Sequence, residues 1–252
     1  MPFGNSRKLI MAKIKLSVVV PCYNEESRIV EGLNHYWSYL KKQKYPSELI
    51  FVNDGSQDKT LELMQESAKA NKNIKVISYQ KNRGKGYAIV QGVRASRGQY
   101  VLFSDIDHSV TVSTVKSFLD YFNKGFDVVI GSRRVRGAKI LIHQNWLRET
   151  LGRGFTFLVR ILIDWKIKDA TCGFKAFKKD SAKKIFNSVS IYDWAFDAEV
   201  LYLCKKYHFN VAQVPVSWSD VRGSKVSLKK DIPRSLFGLL KIRLNDLQGK
   251  YS

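Results

Sequence analysis

The first half of the chain alternates short, nearly unbroken apolar runs with longer stretches in which apolar residues recur every three or four positions. The runs predict strands over 15–21, 48–53, 74–79, 100–105 and 127–132, and the periodic stretches predict helices over 26–42, 58–70, 85–96 and 114–124. Strands that are apolar on both faces and separated by helices belong to a sheet covered on both sides. The expected fold class is therefore α/β, a Rossmann-like, mainly parallel sheet covered by helices. Ligands of such sheets gather beyond the carboxyl ends of the strands, and the polar clusters of this sequence fall there.

The second half reads differently. Over 146–165, Leu147, Leu151, Phe155, Leu158, Ile161, Leu162 and Trp165 recur at helical spacing, with Arg148, Arg153 and Arg160 between them. Over 230–247, Leu236, Leu239, Leu240, Leu244 and Leu247 stand against Arg234, Lys241 and Arg243. Each helix either packs its apolar stripe on a core or lies in a membrane interface with its basic residues at the headgroups.

Charge sharpens that choice. The 252 residues carry 43 lysines and arginines against 22 acidic residues, a formal net charge of +21, which attracts polyanions, anionic lipid or phosphorylated substrates. No run reaches 18 uninterrupted apolar residues, so no spanning helix is expected. Residues 1–12 read as a loose basic leader, because the apolar run that follows is too short for a signal peptide. Cys22, Cys172 and Cys204 are far apart and form no C-x-x-C pair, which argues against a disulfide framework and fits a reducing compartment. A nucleic-acid-binding module would need aromatic residues interleaved with its cations, and none is legible.

Four clusters at strand ends carry the chemistry. In the first, 18–26, Pro21 ends the strand's hydrogen bonding, Tyr23 is suited to stacking on a base, and Glu25 to accepting from a base or ribose. The same Asn24-Glu25-Glu26 is also a good helix start. In the second, 52–60, Asp54 can meet a nucleobase N–H, while Ser56 or Asp58 caps the next helix. The third, 82–88, places Lys85 between Gly84 and Gly86, whose backbone N–H groups at a helix start suit an anion, or simply make a turn. The fourth, Phe103-Ser104-Asp105-Ile106-Asp107-His108-Ser109, sets two carboxylates two residues apart at a strand exit. In extended chain such positions share a side, so Asp105 and Asp107 together can hold one hard divalent cation. Alternatively they are solvated or capping aspartates. Further cations at Arg133, Arg148, Arg222 and Lys225 could make charge-assisted bonds to phosphate, although each alone is an ordinary surface residue.

The order of these clusters resembles the family 2 inverting glycosyltransferases of the GT-A fold. The likeness runs from residue 15 to about 230 and is carried by VVVPCYNEE, FVNDGSQD, NRGKGYA, DID, GSR, DATCGFKAF, WAFDAEVLYL and VPVSWSDVRGSKV. Within that family it is most similar to the polyprenyl-phosphate branch, and CGFK and W-x-x-x-x-GSK favour its dolichyl-phosphate glucosyl type over the mannosyl type. The resemblance implies transfer of a sugar, glucose foremost, from a UDP-sugar to a polyprenyl phosphate. A GDP-mannose-dependent enzyme or one acting on a glycan is the alternative.

By the same resemblance, Pro21, Tyr23, Glu25 and Asp54 bind the uridine, with Lys85, Ser104 and Ile106 beside the donor. Asp105 and Asp107 hold Mg²⁺ or Mn²⁺. Arg133, Arg148, Arg222 and Lys225 approach the lipid phosphate or diphosphate, and Asp197 orients the acceptor or the metal's surroundings. The implied domains are a leader (1–12), a GT-A domain (13–229) and an amphipathic basic helix (230–252), peripherally bound at the cytoplasmic face of a membrane. The sequence departs from the family where Ile106, His108 and Ser109 stand within its acidic motif, and where Ala170-Thr171 follows Asp169. Those departures bear on the sugar more than on the reaction.

Overall fold

The structure, a computed structural model, describes residues 13–193, 195–221 and 228–251. The first half forms β1 (Leu16–Cys22), α1 (Ile29–Leu40), β2 (Ser47–Asp54), α2 (Thr60–Ala70), β3 (Ile74–Tyr79), α3 (Lys85–Ala95), β4 (Tyr100–Ser104), α4 (Val115–Asn123) and β5 (Val128–Ser132). These are the predicted elements, with bounds within three residues of those expected. The second half contributes β6 (Lys139–Ile142), α5 (Trp146–Leu162), β7 (Phe174–Lys178), α6 (Lys179–Ser188), α7 (Phe196–Lys206), β8 (Val211–Pro215), β9 (Ser217–Ser219) and α8 (Leu228–Leu247).

Seven strands form one sheet in the order β3-β2-β1-β4-β7-β5-β8, while β6 and β9 make a separate parallel pair. Alternate residues of the strands feed two cores. Val19, Ile50, Val52 and Phe103 pack with buried residues of α3, α6 and α7 on one face, and Val18, Val20, Leu49 and Phe51 pack with those of α1 and α4 on the other. Helix periodicity follows this burial: α1 buries Ile29, Leu33, Tyr36 and Leu40, one face of a 3.6-residue repeat.

The chain leaves β1 for β2 and β3 on one side, then crosses to β4 on the other. The strand order therefore reverses between β1 and β4, where a ligand crevice opens beyond the strand ends. All pairings are parallel except those of β7, which runs antiparallel to both β4 and β5. Pro21 does not end β1. It lacks an N–H, yet the strand continues to Cys22 because β2 still pairs with it, Pro21 opposite Val52. β1 loses its β4 partner beyond Val19, and that divergence opens the crevice.

Both amphipathic helices leave large apolar side chains exposed. In α5 only Thr156 and Val159 are buried, while Trp146, Phe157 and Ile161 lie open to solvent, as does Trp165 just beyond. In α8, Leu239 and Ile242 enter the core, and Phe237, Leu240, Leu244 and Leu247 remain exposed. Among the described residues no helix is long and apolar enough to cross a membrane. All three cysteines are buried, and none takes part in a disulfide.

Candidate active site

A cleft of about 1140 Å³ lies at the switch point between β1 and β4. It brings together Pro21, Tyr23, Glu25, Asp54, Lys85, Ser104, Asp105, Ile106, Asp107, Arg133, Arg148 and Asp197. That volume slightly exceeds the roughly 300–1,000 Å³ of ordinary small-molecule pockets, which leaves room for two reactants. Arg222, Lys225, Trp194 and the 1–12 leader lie outside the described residues.

The loops after β1 and β2 are braced against each other before either could touch a ligand. The Asn24 N–H donates to Ser56 Oγ (2.9 Å), and the Gln57 N–H donates to Asn24 Oδ1 (2.8 Å). The Glu26 N–H donates to Asp58, and the Lys59 N–H to Glu26. The 24–26 stretch is thus a loop with Asn24 at a positive φ of 51°, and α1 begins only at Ile29. Ser56 serves this brace rather than a helix cap, whereas Asp58 also accepts from the Thr60 N–H at the start of α2. Glu25 is buried on the cleft wall and pairs with Arg28.

Asp54 differs from expectation. Its carboxylate accepts from the Arg83 N–H (2.8 Å), the Gly84 N–H (2.9 Å) and Asn82 Nδ2 (3.0 Å), so it fixes the 82–84 loop rather than waiting free for a base. The N–H groups read as an anion cradle are likewise used, Gly84 by Asp54 and Gly86 by the Tyr192 carbonyl. Gly84 has φ 95°, and a Cβ there would lie 2.7 Å from Tyr192 O. The glycines are needed for the turn and the close approach of residue 192. What this loop delivers to the cleft is the Lys85 side chain.

Lys85 Nζ lies 2.6 Å from Asp105 Oδ1, so the acidic couple is not without a partner. Burial alone would lower the lysine's pKa, but Asp105, Asp197 and Asp107 outweigh it and hold the ammonium charged. Asp105 is pushed above the usual carboxylate range by burial first, then by Asp107 and Asp197, with Lys85 opposing. β4 ends at Ser104 and the chain turns through 106–107, so the extended-chain argument for Asp105 and Asp107 does not hold as stated. A turn brings both to the cleft instead, and the Ser109 N–H bonds Asp107 Oδ1. The Ser104 and Tyr36 hydroxyls share a hydrogen bond of 2.6 Å. Ile106 turns its side chain into the core against α1, where a Cβ on Gly32 would come within 2.3 Å of it, so it can offer a ligand little beyond its backbone.

The segment 169–175, within the DATCGFKAF stretch, builds the opposite wall. Asp169 is fully buried and accepts from Arg133 Nε and Nη2 at 2.8 Å each. Burial would raise the Asp169 pKa, but the bonds and charge of Arg133 outweigh that and lower it. Thr171 takes a further bond from Arg133, and Trp218 lies against the guanidinium. Arg133 is thus clamped in the wall rather than extended for a phosphate. Arg148 makes a long 3.7 Å pairing with Asp220, and Arg134, next to Arg133 in the Gly-Ser-Arg-Arg stretch, also faces the cleft.

A Cβ on Gly173 would fall 2.0 Å from Asp105 Oδ2, so only glycine admits that carboxylate. Asp105 and Asp107 together offer hard oxygen atoms that fit Mg²⁺ or Mn²⁺. Among the described residues no group of three or more His, Cys, Asp or Glu is arranged to hold an ion. A cation here would take further oxygens from a bound ligand. Beyond the carboxylates the cleft becomes apolar, walled by Leu151, Phe155, Phe157, Leu158 and Leu236.

Glycosyl transferase family 2 matches residues 17–186. Among curated proteins, the chain is 34% identical over 246 residues to a dolichyl-phosphate β-glucosyltransferase of Dictyostelium discoideum, covering 90% of this chain and 75% of that protein. It is 37% identical to the Saccharomyces cerevisiae protein of the same name, covering 95% and 77%. Among solved structures, glucosyl-3-phosphoglycerate synthase from Mycobacterium tuberculosis with Mn²⁺ and UDP-glucose superposes with a TM-score of 0.63 at 20% identity, covering 91% of this chain and 79% of that one. Mannosyl-3-phosphoglycerate synthase from Rubrobacter xylanophilus gives 0.63 at 16% identity, covering 94% and 75%. Both likenesses bear on the fold, which is that of the GT-A glycosyltransferases.

Proposed function

Because the chain belongs to glycosyl transferase family 2, we propose that it moves glucose from UDP-glucose to the phosphate of a polyprenyl lipid of the dolichyl type, inverting the anomeric centre. One observation carries the reading: a charged floor of Lys85, Asp105, Asp107 and Asp197 continues into an apolar end wall from α5 and α8. A nucleotide donor suits the first part and a lipid phosphate the second. The names of the curated relatives support the choice of sugar and acceptor.

In this reading Pro21, Tyr23 and Glu25 hold the uridine at the β1 end, and Asp54 keeps the 82–84 loop in place beneath it. Asp105 and Asp107 would hold Mg²⁺ or Mn²⁺, which when bound would supply positive charge against the donor diphosphate. Lys85 is within reach of the same diphosphate. Arg148 faces the acceptor phosphate, with Arg133 as a fixed positive wall behind it. A phosphate oxygen of the lipid attacks the anomeric carbon as the bond to UDP breaks on the opposite face. The acceptor is already anionic, so no strong base is required. Asp197 orients the acceptor, and the apolar wall excludes the water that would otherwise consume the donor. The exposed faces of α5 and α8 support peripheral binding to a membrane surface, where the acceptor resides.

The test is incubation with radiolabelled UDP-glucose, a short polyprenyl phosphate and Mn²⁺, followed by organic extraction. Label should enter the organic phase with UDP-glucose and not with GDP-mannose, and EDTA should stop the transfer. Asp105→Ala or Asp107→Ala should lower turnover by about 100-fold or more, roughly 2.7 kcal/mol of lost transition-state stabilisation, with an unchanged melt. Equal use of GDP-mannose would move the assignment to the mannosyl branch. Label that stays aqueous would point to a glycan acceptor.

A further inference from the structure

β7 runs through the middle of the sheet, and its second residue, Lys175, is a lysine with no exposed side-chain surface. An ammonium group is costly to take out of water unless each N–H finds an acceptor. Lys175 Nζ finds three: Cys172 O at 2.6 Å, Asp197 Oδ1 at 2.5 Å and Ala170 O at 3.2 Å. A strand position that served packing alone would do as well or better with a well-packed apolar side chain. The value of this lysine therefore lies in what its three bonds hold.

Those bonds converge from separate parts of the cleft wall. Asp197 sits in the first turn of α7 and faces the cleft. Ala170 and Cys172 belong to the segment whose Asp169 and Thr171 clamp Arg133, and whose Gly173 makes room for the Asp105 carboxylate. We propose that Lys175 is a positioning residue: by joining Asp197 to the 169–173 segment, it holds Asp105, Asp197 and Arg133 in one fixed arrangement around the cleft. Its effect on turnover rests on the transfer reaction proposed above, whereas its effect on the wall does not.

Lys175→Met keeps the side-chain length and removes the charge. Hydrogen exchange read by mass spectrometry should accelerate about tenfold or more in 169–173 and 195–199, with β1 to β3 unchanged. In the transfer assay, kcat per folded molecule should fall about thirtyfold or more while the donor KM stays within about threefold, a split that plain destabilisation does not produce. Asp197→Asn should lose less, because its amide oxygen still accepts from Lys175. The double variant should match Lys175→Met within about threefold, since the shared contact can be lost only once.

If Lys175→Met does not fold, the double variant takes its place, because it buries no unpaired carboxylate. It should then lie about tenfold or more below Asp197→Asn. Unchanged exchange in both segments overturns the proposal, and so does a double variant as active as Asp197→Asn. Absence of lipid-linked product with the wild type would overturn the transfer reaction instead, and the exchange comparison would still decide the role of Lys175.

Discussion

Gly173 shows how much of the cleft depends on one missing side chain. Asp105 Oδ2 occupies the place where a Cβ on residue 173 would stand, 2.0 Å away. Gly173→Ala changes no charge, and the nearest atoms the added Cβ would meet all belong to the Asp105 carboxylate, so the carboxylate must move. Turnover should fall by about 100-fold, as a displacement near 1 Å at a reacting centre does. The melting temperature should change little, which a thermal scan beside the assay would check. Neither this glycine nor Lys175 was legible as a functional residue. A glycine in a loop and a lysine in a short strand both have ordinary readings, and their roles arise from contacts with Asp105 and Asp197, 68 and 22 positions away. That Asp105 and Asp107 line the cleft was legible because two carboxylates at a strand exit are conspicuous within one short stretch.

Among elements, the first half was readable because each strand is apolar throughout and each helix periodic, so local pattern and final burial agree. β7 was not. Its Phe-Lys-Ala-Phe-Lys sets one lysine on each face of the strand, as an exposed strand would, yet four of its five residues are buried. Its antiparallel direction is set by the route of the chain and not by its composition. The stripe read on α8 also mixed two faces, since Leu239 turns inward while Leu240, Leu244 and Leu247 turn outward. Removing the helix would therefore damage the core, and substituting its outer face is the cleaner probe. Phe237→Ser/Leu240→Ser/Leu244→Ser should leave the melt intact and weaken binding to lipid vesicles by about tenfold or more in a sedimentation assay, since each such side chain gains about 1.5–3 kcal/mol when fully buried. Leu239→Ser is the contrasting control. It should cost about 2–5 kcal/mol of stability, as large-to-small changes in a packed core do.

The whole molecule carries a net charge of +21, and its three clustered aspartates lie inside the cleft. The outer surface near α5 and α8 combines Arg153, Lys241 and Arg243 with the exposed apolar residues of those helices. Apolar contact and charge should therefore act together at a bilayer, each basic residue near an anionic leaflet adding about 1 kcal/mol. Vesicle binding should be tighter on anionic than on neutral lipid. Raising the salt to about 1 M, where the screening length shrinks to roughly 3 Å, should release part of the bound protein. Binding indifferent to both lipid charge and salt would leave the apolar faces alone responsible.

The reversed strand at the centre of the sheet bears on how the molecule is built. β4 and β5 never pair with each other, because β7 lies between them and joins Ser104 to Phe174 and Ile130 to Lys175. On a growing chain, β1 to β4 can assemble as a parallel sheet while the edge of β4 stays open. Asp105 then has neither its glycine seat nor a finished opposite wall until some 70 further residues have been made. Pairings so distant in sequence form slowly, and an open strand edge invites association with other chains. Nascent chains halted shortly before residue 174 should thus have β1 to β4 structured but Asp105 unseated, and they are the stage at which a chaperone has most to protect.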